Sequence, residues 1–387
     1  MYLDLIKKKN PKLLEVALDL HQQGEILPDS YIVDIDQLVN NATTLLNNAK
    51  INNIDLYFML KQLGRNPYIA KKLVEIGYQG AVVVDFKEAL VMMEHNIPLS
   101  NVGNLVQIPV QLMKRIMSYK TEYITVFSFE TLNNIDKIAK ELGIIQKVML
   151  RVYDDNDLVY SGQEAGIHLN ELNEFIKQAK MYSNIDIGAV TSFPCYLYSE
   201  EANDLLPKEN LNTVLKAAAV LEENGIIVNN INAPSSTCSY ILPKMNDVGV
   251  TSAEPGHGLT GTTPAHLHLN LEEKPCVVYV SEISHNFKGK GYCYGGGHYR
   301  RSHVKNAFVG NNFKHTEVIP PNCDSIDYYF GLSDTFNIGE TVLMGFRYQM
   351  FVTRSTVVLV EGIQSGNPSI VGIYDSQGTV KWTSGLY

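Results

Sequence analysis

Lys61 is the first residue of the chain whose position suits covalent chemistry. It follows the apolar run DLYFML (55–60), which has the character of a buried strand. A lysine at the carboxyl end of a barrel strand lies at the rim where active sites are built. Partial burial there lowers the pKa of the amine, which suits a Schiff base with a carbonyl compound. An ordinary strand-end lysine paired with a carboxylate is the alternative, and the spacing alone favours it.

Two polar loops carry groups that can hold a phosphate. They are NAPSSTC (232–238), which follows a predicted strand, and the glycine-rich AEPGHGLTGTTP (253–264). The first loop carries the hydroxyls of Ser235, Ser236 and Thr237, and the first two glycines of the second loop are Gly256 and Gly258. Hydroxyls and free backbone amides on rim loops form a phosphate cradle. Two ordinary turns account for the same residues equally well.

Acid–base groups lie in the second of these loops and in two further segments. Glu254, beside Pro255, could pair with a cationic heterocycle, although a solvated loop acid is the simpler interpretation of this residue alone. Tyr294 lies in YCYGGGHY (292–299), and a tyrosine held near a positive charge is a plausible acid or base. Cys323 and Asp324, in PPNCDSID, could be a thiol and an acid at a site. Turns with structural aromatic and cysteine residues are the alternatives.

The sequence predicts no metal site. His266 and His268 alternate in HLHL, so on a strand they would share one face, as metal ligands can. No cysteine or acid is expected to complete a ligand set with them, and a structural role is favoured. GHGLTG (256–261) has the GxGxxG spacing but does not directly follow a predicted strand, and no P-loop and no HExxH motif is present, which removes the best-marked nucleotide and zinc-protease hypotheses.

Short apolar runs alternate with amphipathic stretches between residues 31 and 233. The predicted strands are YIVDI (31–35), DLYFML (55–60), GAVVV (80–84), NVGNL (101–105), YITVF (123–127), KVMLRVY (147–153), IDIGAVTS (185–192) and IVNNINA (227–233). Eight such alternations predict an α/β fold with a closed, TIM-type (β/α)8 barrel, and an open doubly wound sheet is the alternative. After about residue 265, alternating runs such as HLHLNL predict a C-terminal antiparallel β-domain. We expect a helical extension over 1–28, the barrel over 29–265 and the β-domain over 266–387.

Composition sets the broad class of the protein. The chain has 387 residues, 45% of them hydrophobic, and a formal net charge of −9. This is globular composition, and the acidic balance argues against binding to nucleic acid. No apolar stretch is long enough to span a membrane, and no secretory signal is expected at the N-terminus. Five widely spaced cysteines without a CxxC pair favour a reduced, cytoplasmic protein.

Taken together, these segments resemble the fold-type III enzymes that depend on pyridoxal 5′-phosphate (PLP), which include alanine racemase and the ornithine and diaminopimelate decarboxylases. YIVDIDQLVNNATTLLNNA resembles the opening strand and helix of this family, and LYFMLKQLGRNPYIAKKL resembles its lysine strand and the following helix. EPGHG (254–258) resembles the decarboxylases' Glu-Pro-Gly-Arg segment, and CYGGGHY resembles the racemases' Tyr-Gly segment. The combination is most similar to the YhfX-type branch, which is described as racemase-like.

The resemblance implies a role for each candidate residue. Lys61 would hold PLP covalently, and the loop of Ser235, Ser236 and Thr237 would bind its phosphate. Glu254 would face the pyridine nitrogen, with Gly256, His257 and Gly258 beside the cofactor. Tyr294 would act as the second catalytic base across a homodimer interface, where the Cys323–Asp324 loop would also lie. The implied partner is a small amino-acid substrate in composite active sites.

The chain departs from each subclass in some positions. Racemases commonly place an arginine against the pyridine nitrogen, where this chain has Glu254, and the decarboxylases' histidine on strand seven is replaced within AVTSFPCY. We expect an amino-acid racemase, because Tyr294 supplies a phenol where the second base belongs. A decarboxylase or a D-amino-acid aldolase or dehydratase is the alternative, and a non-catalytic PLP-binding protein is a second one. The candidate partners of the substrate carboxylate are Arg65, Arg151, Arg300 and Arg301.

Overall fold

The computed structural model describes residues 1–299, 301–322 and 324–384, so Cys323 and Arg300 lie outside the described residues. The α-helices are α1 Tyr2–Lys9, α2 Pro11–Gln22, α3 Ile35–Ile51, α4 Pro67–Glu75, α5 Phe86–Glu94, α6 Val110–Ser118, α7 Phe129–Leu142, α8 Leu172–Ala179, α9 Glu209–Glu223 and α10 Leu242–Asp247. The strands are β1 Ser30–Asp34, β2 Asp55–Leu56, β3 Ala81–Val82, β4 Leu99–Val102, β5 Tyr123–Val126, β6 Gln146–Tyr153, β7 Ile167–His168, β8 Ile185–Thr191, β9 Tyr196–Ser199, β10 Asp204–Pro207, β11 Asn230–Asn232, β12 Ser252–Ala253, β13 Val277–Phe287, β14 Lys290–Tyr294, β15 Asn306–Val309, β16 Lys314–Ile319, β17 Tyr329–Leu332, β18 Thr341–Met344, β19 Thr356–Glu361, β20 Ser369–Asp375 and β21 Val380–Thr383. Short 3₁₀ helices occur at Lys61–Leu63, Leu169–Glu171, Pro264–Leu267 and Met350–Val352. No helix in the described part of the chain combines the length and the apolar character that crossing a bilayer requires.

Local sequence signals start and stop the barrel helices. The side chain of Ser128 accepts a hydrogen bond from the Thr131 amide and caps the start of α7, and Gly143, at φ +66°, ends it in the left-handed conformation. Asp85 caps α5 in the same way by accepting from the Glu88 amide. These caps hold each helix between two parallel strands, so the strand ends beside them occupy fixed positions.

The first of two compact units contains the barrel; it comprises residues 44–60 and 70–256. Within the described residues of this barrel unit, eight parallel strands pair in the order β2-β12-β11-β8-β6-β5-β4-β3, and a bridge from Phe58 to Ala81 joins the two ends. Going around the sheet, the strands follow chain order, as repeated right-handed βα connections require. The predicted (β/α)8 architecture is confirmed.

One predicted barrel strand lies elsewhere, and one barrel strand was missed. β1, the YIVDI run, pairs antiparallel with β13 and parallel with β19 in the other unit. All five of its residues are buried, so its apolar run suits either sheet. The eighth barrel position belongs to β12, which pairs with β11 and β2. A strand as short as β12, with two residues, shows no periodicity, so the sequence predicts a loop there.

The second unit comprises residues 1–43, 61–69 and 257–387. Its sheet has the order β14-β17-β16-β15-β18-β13-β1-β19-β20-β21, with antiparallel pairing except between β1 and β19, so the predicted antiparallel β-domain is confirmed. Buried side chains of α1 and α2, such as Leu3 and Leu13, pack with Val278 and Val358 of the sheet in one core. Burying each such side chain contributes about 1.5–3 kcal/mol, which fixes the predicted helical extension to this unit.

Two further details differ from the sequence analysis. The predicted strand HLHLNL begins inside the 3₁₀ helix Pro264–Leu267, because Thr263 and His266 form a capping box there. The two compact units also do not coincide with the linear ranges 29–265 and 266–387, since residues 30–43 and 61–69 group with the C-terminal residues.

Candidate active site

The turn that carries Lys61 is tightly packed within the second unit. Lys61 is half-buried and opens the 3₁₀ helix Lys61–Leu63. Gly64 follows at φ +67°, and a Cβ on it would lie 3.2 Å from a methyl group of Val357 and 3.3 Å from the Ser376 carbonyl oxygen. A larger residue at this position would therefore be strained by both its backbone angle and its neighbours. The backbone under Lys61 is held in one conformation.

Arg65, a candidate for the substrate carboxylate, has structural partners. It is buried, its guanidinium donates to Oε1 of Gln377 at 2.9 Å, and it lies 5.1 Å from the centre of the Phe351 ring. These contacts join the Lys61 turn to the C-terminal strands. They favour a positioning role for Arg65 over substrate binding.

His257 lies in a polar cluster of the same unit. Its Nδ1 is 3.3 Å from the Thr262 hydroxyl, its Nε2 is 3.3 Å from the Gln349 amide nitrogen, and its ring centre is 5.8 Å from that of Tyr348. Burial lowers the pKa of His257 well below its usual value, and the charges of Arg347, Lys61 and His266 lower it further. The imidazole is therefore neutral near pH 7 and offers one donor and one acceptor.

His266 has Thr263 and Glu273 as neighbours at its two ring nitrogens. Its Nδ1 lies 2.7 Å from the Thr263 hydroxyl, and its Nε2 lies 3.4 Å from a carboxylate oxygen of Glu273. The imidazole and the carboxylate are both fully buried. A buried charge is tolerated when it is paired in this way.

In the barrel unit, the Ser235–Thr237 loop has the features of an anion cradle. Ser235 and Ser236 have φ angles of +103° and +54°, which residues other than glycine rarely adopt. The Ser235 hydroxyl donates to the Tyr196 carbonyl at 2.8 Å, whereas the Ser236 hydroxyl has no hydrogen-bond partner among the described residues. The Thr237 hydroxyl is shielded from solvent and also lacks a partner within the described chain. Two of the three predicted hydroxyls therefore have no hydrogen-bond partner in the described chain and could bond to a ligand.

Glu254 follows β12 at the carboxyl end of the barrel strands. The Ala253 carbonyl accepts from the Tyr57 amide at 3.1 Å, and the Pro255 carbonyl accepts from the Met59 amide at 3.2 Å, so the residues on both sides of Glu254 are tied to the segment that leads to Lys61. Glu254 is 7% exposed, which excludes the interpretation as a solvated loop acid. Its neighbour Gly256 is half-buried.

A chain of hydrogen bonds inside the barrel positions these loops, and the sequence analysis did not detect it. The Thr191 hydroxyl donates to Asn232 at 2.9 Å, and Asn232 donates to Ser252 at 3.0 Å. The Ser252 hydroxyl donates to Asn230 at 2.6 Å, and Asn230 donates to the Tyr57 hydroxyl at 3.0 Å. The bonds connect β8, β11, β12 and the segment after β2. Polar residues on short strands gave no periodic signal by which this network could have been found.

Arg151, another candidate for the substrate carboxylate, lies at the carboxyl end of β6. It is 3% exposed and donates to the carbonyl oxygens of Asn104 at 2.6 Å and Gln163 at 2.9 Å. Burial lowers the pKa of its guanidinium. Two of its five donors therefore hold rim loops in place.

Tyr294 and the described residues of the loop over 320–327 are brought together in the second unit. Tyr294 ends β14 opposite Tyr329 of β17, and the Gly295 amide donates to the Tyr328 carbonyl at 2.8 Å. The Tyr294 side chain is 37% exposed, and its hydroxyl has no hydrogen-bond partner among the described residues. Asp324 is exposed on the adjacent loop. A cavity of about 370 Å³ beside these segments is lined by Gly296, His298, Asn322, Asp327 and Arg354, among others.

A group of potential metal ligands lies after β6. Oxygen and nitrogen atoms of Asp154, Asp155 and His168 lie within 4.8 Å of one another. The Asn170 amide donates to Nδ1 of His168, so a neutral ring carries its proton on Nε2, which lies 3.3 Å from Asp155. This hydrogen bond accounts for the grouping without an ion.

Comparison with known proteins identifies the family. A family model described as alanine racemase, N-terminal domain, matches residues 33–264, and one described as YhfX-like, C-terminal domain, matches residues 278–370. The chain therefore belongs to the alanine racemase family, in the form that carries a YhfX-like C-terminal domain. Members of this family are PLP enzymes.

Particular relatives agree with this assignment. The chain is 44% identical over 382 residues to the uncharacterized protein YhfX of Escherichia coli (strain K12), which covers 98% of this chain and 99% of that protein. Its fold is similar to alanine racemase of Clostridium difficile 630 in complex with cycloserine, with 18% identity, 89% and 98% coverage and a TM-score of 0.66. It is also similar to D-threonine aldolase from Filomicrobium marinum, with 13% identity, 90% and 94% coverage and a TM-score of 0.67.

Proposed function

We propose that this protein is a PLP-dependent amino-acid racemase that acts in the cytoplasm as a homodimer with composite active sites. The observation that carries the proposal is the Tyr294 phenol, which is 37% exposed and has no hydrogen-bond partner in the described chain. Such a group is available to a second subunit and can exchange a proton there. The four cysteines that the structure describes are buried and are not joined in disulfides, which suits a reduced compartment.

The residues present fit the cofactor. The free hydroxyls of Ser236 and Thr237 match the acceptors of a phosphate, and the buried Glu254 carboxylate suits a protonated pyridine nitrogen. Lys61 is the half-buried amine that would hold the aldehyde carbon. When bound, PLP draws electrons from the α-carbon of an amino acid and makes its proton removable.

Two groups of this chain then move the proton. Once the amine of the amino acid has displaced Lys61 from the aldehyde carbon, the freed Lys61 amine would take the proton from one face of the α-carbon, and the Tyr294 phenol of the second subunit would give a proton to the opposite face. Loss on one face and gain on the other invert the configuration. Afterwards Lys61 holds the extra proton and Tyr294 is a phenolate, so the two groups exchange protons with solvent or run the reaction backwards.

The test is incubation of the purified protein with a panel of D- and L-amino acids in deuterated water, followed by chiral analysis. We expect interconversion of the enantiomers of at least one amino acid, with deuterium at the α-carbon. CO₂ without interconversion would show a decarboxylase, and release of an aldehyde, a keto acid or ammonia would show an aldolase or dehydratase. Absence of the visible absorbance of bound PLP would remove the whole proposal.

A variant pair assigns the second base. In Tyr294→Phe, we expect deuterium exchange to persist in one enantiomer only, because Lys61 still serves its own face. Tyr328→Phe is the matched control, since Tyr328 is a more exposed tyrosine (62%) on the adjacent segment. Exchange in both enantiomers at the wild-type rate in Tyr294→Phe would contradict the assignment.

A further inference from the structure

Arg347 is a cation that has no counter-ion among the residues that the structure describes. Its side chain is half-buried and makes no hydrogen bond or ion pair with the described residues, and its Nε is shielded from solvent. A guanidinium stays charged and carries five donors in a fork that fits two oxygens of an oxyanion. Because shielding such a group without a partner is costly, the position calls for a ligand that the described part of the chain does not supply.

Gln349 is a second unsatisfied group, two residues further along the chain. It is 7% exposed, and its amide nitrogen lies 3.3 Å from Nε2 of His257. Its Oε1 is shielded from solvent and has no partner within the described residues. Whichever end of the amide faces the imidazole, the other end is left for a ligand.

Both residues interact with His257. The charges of Arg347 and Lys61 both act on His257, which is in contact with Gln349 and Tyr348. His257 is itself neutral, and the nearby His266 is paired with Glu273 at 3.4 Å. The group made by His257, Arg347 and Gln349, here called the Arg347 cluster, therefore combines one cation with two neutral polar groups.

We propose that Arg347 binds a carboxylate group of the amino-acid substrate and that Gln349 makes a second polar contact with the same molecule. The inference rests on the proposed function in taking the substrate to be an amino acid. A carboxylate matches the guanidinium fork in charge and in spacing. The guanidinium groups of Arg65 and Arg151 already donate to protein acceptors, whereas that of Arg347 has no acceptor among the described residues. The Ser236 and Thr237 hydroxyls offer a separate cradle for the phosphate.

The test measures binding of propionate and of propionamide, its uncharged isostere, to the purified full chain loaded with PLP. Calorimetry and thermal shift report binding without turnover. We expect propionate to bind and propionamide to bind at least about tenfold more weakly, since a charged hydrogen-bonded contact is worth that factor or more. Equal binding of the two ligands, or no binding of propionate, would overturn the inference without any variant.

Variants then locate the contact. Arg347→Gln should weaken propionate binding by about tenfold or more, and Arg347→Lys, which keeps the charge but loses the fork, should give a smaller loss. Arg115→Gln, on the exposed face of α6, is the matched control. Wild-type propionate affinity in both Arg347 variants, or loss of PLP affinity with propionate binding retained, would show that the carboxylate site is elsewhere. Propionate binding that depends on Arg347 in a protein without racemase activity would leave this inference standing and remove only the proposed reaction.

Discussion

Asn232 on β11 and Ser252 on β12 are register partners, and Nδ2 of Asn232 donates a hydrogen bond of 3.0 Å to the Ser252 hydroxyl. Ser252 in turn donates to Asn230 at 2.6 Å. One buried hydroxyl therefore satisfies two asparagines and holds the two-residue strand from which the Glu254 loop departs. Buried polar networks of this kind stabilise the fold only while every member has its partner.

Replacing Ser252 by alanine should destabilise the protein measurably. The change leaves a donor of Asn232 and an acceptor of Asn230 unsatisfied in the barrel, at a cost of about 1–3 kcal/mol for each group. Thermal or urea unfolding measures the loss. Ser183→Ala, at an exposed turn, is the control and should unfold as the wild type does. Equal stability of the two variants would show that the network contributes little.

Lys61 should carry the cofactor. Borohydride reduction of the PLP-loaded protein followed by peptide mapping should find the pyridoxyl group on Lys61, because its amine is half-buried on a rigid turn. Lys61→Ala should lose the visible absorbance of bound PLP. Lys71→Ala, on the exposed face of α4, should keep it. A pyridoxyl group on any other lysine would refute the assignment.

The phosphate loop should discriminate between PLP and pyridoxal, which lacks the phosphate. The double variant Ser236→Ala/Thr237→Val removes both free hydroxyls and should weaken PLP binding by about tenfold or more, with little effect on pyridoxal. Ser235→Ala is the comparison, because the Ser235 hydroxyl is already bonded to the Tyr196 carbonyl. Ser235→Ala should lower the stability of the protein and leave the preference for PLP over pyridoxal unchanged. A parallel loss of affinity for PLP and pyridoxal in the double variant would argue against a phosphate site.

The composite site predicts complementation between subunits. Lys61→Ala and Tyr294→Phe are each expected to be inactive as racemases. In an equal mixture, about half of the dimers would be hybrids with one intact site of two, so about a quarter of the wild-type activity should return. Native mass spectrometry establishes that hybrids have formed. Demonstrated hybrids without activity would place Tyr294 outside the site of the other subunit.

The sequence predicted the fold class because strand–helix alternation and helix caps are local signals. It misplaced β1, because a fully buried run of five residues has the same composition in either sheet. It missed β12 and the network through Ser252, since a strand of two residues has no period. Arg347 and Gln349 also escaped notice, because only the absence of a partner in the folded chain distinguishes them. Resemblance to a known family named Lys61 and Tyr294, whereas spacing alone favoured ordinary roles for them.

Asp29 should make the stability of the protein depend on pH. Its carboxylate accepts a hydrogen bond of 2.8 Å from the Tyr279 hydroxyl and another from Ser355, and a Cβ on Gly296 would collide with it. Burial nevertheless raises the pKa of Asp29 to about 6, from 3.8, against the lowering effect of Ser355, Tyr279 and Arg354. In this range the folded state therefore holds more protons than the unfolded state.

The sign of the pH effect follows from this difference. When the pKa of a carboxyl group is raised in the folded state, ionisation of that group lowers the stability of the fold. The contribution of Asp29 to the free energy of unfolding therefore falls as pH rises from about 4 to 6. A pKa unit corresponds to about 1.4 kcal/mol, and partial exposure makes the full change at most about 3 kcal/mol. Asp29→Asn keeps an acceptor for Tyr279 but cannot ionise, so it should lose this slope and gain stability relative to the wild type above about pH 6. Urea unfolding of both proteins at several pH values measures the difference, and parallel pH profiles would show that Asp29 has an ordinary pKa in the folded protein.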